Sequence, residues 1–401
     1  MIHQPEPAAP SRHDLRPPGH FQRWFAMARR LLWLELIGAY AAISAYMFFQ
    51  RLDGGNAGAD FIIYYAASLL TMAGETAALF DWPSFRAAQA TVIQGPIKYL
   101  PWLYPPPILL LAAPLASLPY LPAFAVWVLA QLGLLAAALR GAGKSGTAYL
   151  GTIFAAIVFP ATINNMLAGQ NGALSAALLG GGLVLLKKHP GLAGLLLGCL
   201  IYKPHLALML PVALLAAGAW RTIATGLASA MALSLLSLVA FGAAPWAAFW
   251  ANTATGMWAL EYGSDHWAKM ATVFSTLRLL GVEIALAYGI QIAAAAFAAA
   301  AVIMVWRRGT ASLPLRGSAL LLATFLATPY AFFYDLVVLI FVIVWLGQGR
   351  VGRYGRSIVG FMWLAPVALW VLARYSHLSL WPVLFGGCLV WVCWLARRER
   401  T

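Results

Sequence analysis

The residue best placed to do chemistry is an aspartate at a turn. In "GNAGADFIIYYAASLL" (55–70), Asp60 falls between a glycine-rich reversal and an apolar, tyrosine-bearing segment that reads as a helix. A carboxylate at a helix start can accept bonds from backbone amides, which keep it ionised and aimed. That suits a general base, which must reach the proton it removes. The same position suits a plain N-cap, and the two roles are compatible.

Three further stretches carry polar chemistry in apolar surroundings. "YKPHLAL" puts Lys203 and His205 around the helix-breaking Pro204. A lysine at membrane depth is costly unless it snorkels to the surface or has a partner, and a lipid phosphate is a natural partner. "NNMLAGQNG" sets Asn164, Asn165, Gln170 and Asn171 at the junction of two apolar runs. Their amides either satisfy backbone at a broken helix or meet sugar hydroxyls. "ATPYAFFYDLVVL" places Tyr334 and Asp335 at a membrane boundary, and "EYGSDHWAKM" offers Glu261, Asp265, His266 and Lys269. Of these last four, Glu261 and Lys269 read as residues of a solvated loop.

The missing motifs narrow the chemistry. There is no DxD pair, P-loop, GxSxG or HExxH, so metal-bound nucleotide sugars, ATP and the common hydrolase routes have no seat. The three cysteines lie in apolar runs without CxxC or histidine spacing and read as packing residues. No metal site and no cofactor is expected. Of the twelve Asp and Glu residues, seven (Asp53, Asp60, Glu75, Asp81, Glu261, Asp265 and Asp335) fall in segments on one side of the apolar runs.

The elements that must hold these residues are membrane spans. The chain is 62% hydrophobic and 9% charged, with a mean hydropathy of +0.80. This is far from the composition of a soluble domain. The net charge of +14 sits in short clusters between apolar runs. That is the pattern of inward loops, and it excludes a nucleic-acid partner. Fifteen of the twenty-six basic residues fall inside when the N-terminus is cytoplasmic, which puts both termini there.

The expected architecture is an all-α polytopic membrane protein of about twelve spans. Residues 1–30 read as a disordered basic cytoplasmic tail and 31–401 as a single transmembrane domain whose first span, 31–49, is an uncleaved anchor. Residues 104–139 form one span or a hairpin, and 191–218, interrupted by "YKPH", poses the same choice; basic residues favour one and two spans respectively. The outward segments are 50–103 and 242–275. The first holds two short helices, amphipathic or partly buried, along the membrane face.

The ordered set "DF..YY.AA", "YPPP...L..PLA.LPY..A...W", "GQNGAL", "AGLLLGCLIYKPHLALMLPVALL" and "TPYAFFYDLVVL" resembles glycosyltransferase family 87. The resemblance implies a GT-C fold and an active site on the outer face of a bacterial inner membrane. The implied donor is a polyprenyl-phosphate sugar, mannose above all, and the acceptor a lipid or glycan hydroxyl. It matches Asp60 to the family's essential outer-loop aspartate, Lys203 to its "KP" and Gln170 to its "GQ". The expected transfer is inverting, with Asp60 as base and Lys203, with His205 or Lys98, on the donor phosphate. Tyr64, Tyr65, Asp81, Tyr104, Asn164 and Asn165 are then candidates for binding sugar or acceptor. So are Gln170, Asn171, His266, Tyr334 and Asp335. The rival reading is a transporter or lipid flippase with Lys203 in the substrate pathway.

Overall fold

A computed structural model describes residues 35, 58, 60–92, 100–143, 146–307, 311–349 and 351–399. Contacts divide the chain into Met1–Gln50, of which only Glu35 is described, and Arg51–Thr401, which carries all the elements below. The expected tail, Asp53, Lys98 and the first span apart from Glu35 lie outside the described residues.

Every regular element among the described residues is helical, with one isolated antiparallel bridge between Met270 and Phe332. Among the described residues four helices are long and apolar enough to cross a bilayer: Tyr120–Leu139, Trp220–Phe241, Ile284–Trp306 and Gly352–Ser376. At 1.5 Å per residue each spans about 30 Å or more. A bent pair, Ala148–Ile157 and Pro160–Ala168, meets at 54° and makes a fifth if it is one span. Seven more apolar helices have only 10–17 residues, so the described residues do not bear out a count of twelve full spans.

Proline explains much of the shortness. Pro160, Pro190, Pro204, Pro211, Pro314 and Pro382 each stand in the first turn of a helix. There the missing N–H is no loss, whereas a continuing helix would forfeit a bond and meet a clash. Apolar runs that look continuous in sequence are therefore cut. Residues 104–139 become a helical segment, Pro106–Ser117, and the 20-residue helix Tyr120–Leu139, separated at Leu118–Pro119. Residues 191–218 break at Lys203 into Pro190–Tyr202 and Pro204–Ala216.

Gly172–Leu185 and Leu313–Ala327 are buried on nearly every side and form the centre. A helix apolar all round belongs inside a bundle. Helices sealed by protein need not match the bilayer, and their broken ends are tolerated because they face protein or a cavity. Four such breaks position the polar residues: before Phe61, at Gly169–Asn171, at Lys203, and at Thr328–Phe332.

Among the described residues, 50–103 contains the expected short helices. Phe61–Met72 buries Phe61, Ile62, Ile63, Tyr64, Ala66 and Ala67, so it lies inside the protein rather than on its face. Trp82–Val92 buries only Phe85 and Gln89 and is one-sided. In 242–275, Leu260 and Met270 pack with Phe274 and Ala287, and Tyr330 and Phe332 lean on that cluster. Ala271 N donates to Ala331 O at 2.9 Å and Phe333 N to Lys269 O at 3.0 Å, tying this loop to the Thr328–Phe332 break.

Candidate active site

Asp60 precedes the helix Phe61–Met72, yet its side chain makes no capping bond. The contrast is Glu283, whose Oε2 accepts from Ala285 N at 2.9 Å and Leu286 N at 3.1 Å. Those backbone bonds hold the exposed Glu283 carboxyl below its usual range. The half-buried Asp60 instead accepts, at Oδ2, from Gln170 Nε2 at 3.0 Å. The backbones are joined too, since Asp60 N donates to Ala168 O at 2.9 Å.

The "GQNG" turn makes that approach possible. Gly169 ends the helix Pro160–Ala168 in the left-handed region, at φ 72°, where a side chain is disfavoured. A Cβ there would also come within 2.5 Å of Phe61 Cβ. A Cβ on Gly172 would collide with the Tyr334 carbonyl oxygen. The first glycine thus lets Gln170 reach Asp60, and the second lets the helix Gly172–Leu185 press on the segment bearing Tyr334 and Asp335. Trp127 Nε1 donates to Gly169 O at 3.0 Å, and Asn165 Oδ1 accepts from Gly172 N at 2.6 Å.

Two phenols complete the Asp60 side. Tyr64 is fully buried. Its hydroxyl lies 2.7 Å from the Tyr104 hydroxyl and 2.9 Å from Gln170 Oε1, and the Tyr104 hydroxyl is 3.3 Å from the same oxygen. Trp102 packs on both rings, with its indole N–H buried and unpartnered.

The cationic side is built at the other two breaks. Lys203 Nζ donates to Asp335 Oδ1 at 2.6 Å, and the two side chains are 3% and 1% exposed. Asp335 Oδ2 accepts from Phe332 N at 2.9 Å. Lys203 also sits 5.0 Å from the centre of the Tyr334 ring. An ammonium has three donors, and Asp335 takes one. His205 lies edge-on to Tyr330 with its Nε2 buried and unpartnered. The halves meet at the GQNG turn, where Gly172 packs directly on the backbone of Tyr334.

Asp60, Tyr64, Tyr104, Asn165, Gln170, Lys203, Tyr334 and Asp335 therefore converge from five separate stretches. Asn171 joins them through the GQNG turn, with both amide atoms buried and unpartnered. His266 approaches from outside, its ring 6.2 Å from Phe332, which stacks on Tyr334. Three candidates stand apart. Tyr65 donates its hydroxyl to Leu118 O at 2.9 Å, away from the cluster. Asp81 is exposed and accepts from Ser84 Oγ at 2.6 Å and Ser84 N at 3.1 Å. The Ser84 hydroxyl and then its amide hold the Asp81 carboxyl below the usual range. Asn164 is half-buried on the helix Pro160–Ala168. Among the described residues no group of three or more His, Cys, Asp or Glu is arranged to hold a metal ion.

Residues not singled out in the sequence also take part. Tyr202, directly before Lys203, shares a hydrogen bond with Ser175 Oγ at 2.8 Å. Trp127 pins Gly169, and Tyr330 covers His205. Glu261, read as a solvated residue, accepts from Tyr288 at 2.9 Å.

A half-buried carboxylate aimed by an amide, beside a buried cation and a wall of phenols, can remove a proton and stabilise a leaving anion. The sequence profile of glycosyltransferase family 87 matches residues 102–329. The chain belongs to glycosyltransferase family 87. No curated protein and no solved structure matches it. The protein is thus a membrane glycosyltransferase, and membership sets the transporter reading aside. The family 87 match contains Tyr104, the GQNG turn, Lys203 and His205. Asp60 and Asp335 lie outside it and enter on geometry.

Proposed function

We propose that this family 87 glycosyltransferase moves a sugar, mannose first among candidates, from a polyprenyl monophosphate to a lipid or glycan hydroxyl. Its site opens on the outer face of a bacterial inner membrane, and both termini are cytoplasmic. Asp60 takes the proton of the acceptor hydroxyl as that oxygen bonds to C1. The bond from C1 to the phosphate oxygen breaks on the opposite face, and its electron pair leaves with polyprenyl phosphate. The configuration at C1 inverts. Lys203, with two ammonium donors beyond the one given to Asp335, stabilises the charge gathering on that phosphate.

The observation that carries this reading is the Asp60–Gln170 bond at 3.0 Å beside the Lys203–Asp335 pair at 2.6 Å. Such a transfer needs a base and a cation, and these two pairs supply a candidate for each. The test uses the purified protein in detergent with polyprenyl-phosphate mannose and a membrane lipid extract. Release of polyprenyl phosphate together with a product of inverted anomeric configuration supports it. Retained configuration overturns the single-displacement step, and transfer only from other sugars overturns mannose.

A further inference from the structure

We propose that Gln170 is a positioning residue, which aims the Asp60 carboxylate and is itself set by the phenols of Tyr64 and Tyr104. This rests on the reading of Asp60 as the base. The amide of Gln170 has one end that only donates and one that only accepts. Its Nε2 faces Asp60 Oδ2 at 3.0 Å, and its Oε1 faces the two phenols at 2.9 and 3.3 Å. Turned over, the amide would set its oxygen against a carboxylate oxygen, with no proton between them. The three oxygens of Tyr64, Tyr104 and Gln170 share two phenolic protons, and in every arrangement the amide oxygen is an accepting end.

The orientation is therefore chosen by hydrogen bonding and held by packing. Gln170 is 5% exposed and Tyr64 fully buried. The backbone around Gln170 is tied at three points. Its own N–H donates to Asn165 O at 3.0 Å, Gly169 O accepts from Trp127, and Ala168 O accepts from Asp60 N–H. This chain of contacts ends on Oδ2 of Asp60. It fixes the plane of one carboxylate, and displacing a catalytic group by about 1 Å can cost on the order of a hundredfold in rate.

The test measures kcat and KM in the transfer assay for Gln170→Leu, Gln170→Glu, Asp60→Asn and the double variant Asp60→Asn/Gln170→Leu. We expect Gln170→Leu to lower kcat by roughly tenfold to a hundredfold with KM for the donor little changed, and to add little further loss in the Asp60→Asn background. In Gln170→Glu the new carboxyl and Asp60 share one site, so one of them holds its proton more tightly and the acid limb of kcat moves to higher pH. The phenols that face Gln170 (Tyr64 and Tyr104) and those near Asp60 (Tyr120 and Tyr334) ordinarily ionise near pH ~10, well above that limb. A merely structural role would leave the pH profile where it is. A raised KM with unchanged kcat assigns Gln170 to sugar binding, and a full loss that multiplies with Asp60→Asn makes it independent of Asp60. Either result overturns the proposal. Asp60→Asn with wild-type activity identifies instead a failure of the base reading beneath it.

Discussion

Lys203 and Asp335 offer a perturbation whose size follows from their geometry. The charges are 2.6 Å apart, with 3% and 1% of the side chains exposed. At an effective dielectric of about 20, the attraction is about 6 kcal/mol. Desolvating both ions costs several kcal/mol each, so the pair adds little net stability. Removing one partner is different, because the other is left buried without compensation, at about 3–5 kcal/mol. Lys203→Met takes the cation from a buried Asp335 carboxylate that the Phe332 amide, at 2.9 Å, cannot neutralise. That variant should unfold at markedly lower temperature or denaturant. Lys203→Met/Asp335→Asn removes both charges, while the new amide oxygen can still accept from Phe332 N–H, and it should recover most of the stability. If Lys203 also serves the donor phosphate, the double variant stays folded and inactive. The assay is unfolding of the purified protein in detergent, followed by the fluorescence of its 17 tryptophans, beside sugar transfer. A double variant as unstable as Lys203→Met alone would refute the charge argument. One that is both stable and active would remove Lys203 from the reaction.

Three other outcomes rest on the same contacts. Gly172→Ala forces a Cβ into the Tyr334 carbonyl and should cost about 1–3 kcal/mol; it should also reduce transfer, whereas Gly289→Ala, which meets nothing within 4 Å, should change neither. Asn171→Leu removes a buried amide that has no partner, so it should leave stability unchanged or raised while lowering transfer if that amide meets a substrate hydroxyl; equal activity would leave Asn171 a packing residue. Asp81→Asn should transfer sugar at the wild-type rate. Its carboxyl is held low by Ser84, so the small stabilisation it gives is present above the ordinary carboxylate range and is lost only as the pH falls through its own lower value. Unfolding of wild type and Asp81→Asn across that acid range measures it.

What the sequence reveals and what it hides divide along physical lines. Composition places the chain in a membrane, because no soluble domain has so few charges. Asp60, Gln170, Lys203 and Asp335 stand out because polar residues in apolar runs are costly without a task. Their pairings do not stand out. Asp60 and Gln170 are 110 residues apart, and Lys203 and Asp335 are 132 apart. Nothing local records that two left-handed or broken turns bring them together. GQNG reads only as the junction of two apolar runs, yet each glycine answers to a particular neighbour, Phe61 or Tyr334. Trp127 was legible in principle, since an indole N–H inside an apolar helix needs an acceptor. A number of full spans is hard to read from the apolar runs, because helices such as Gly172–Leu185 are enclosed by protein and the runs are cut at prolines and glycines. Glu261 looked solvated because its partner, Tyr288, comes from a different helix.

The most direct test of the central claim is sugar transfer by Asp60→Asn. The substitution keeps the size of the side chain and an oxygen able to accept from Gln170, so the fold should survive and unfold as wild type does. Loss of a general base is worth about a hundredfold or more. The account predicts that loss in kcat, with polyprenyl-phosphate sugar still bound. Transfer at the wild-type rate would contradict it and leave Asp60 a residue of the turn alone.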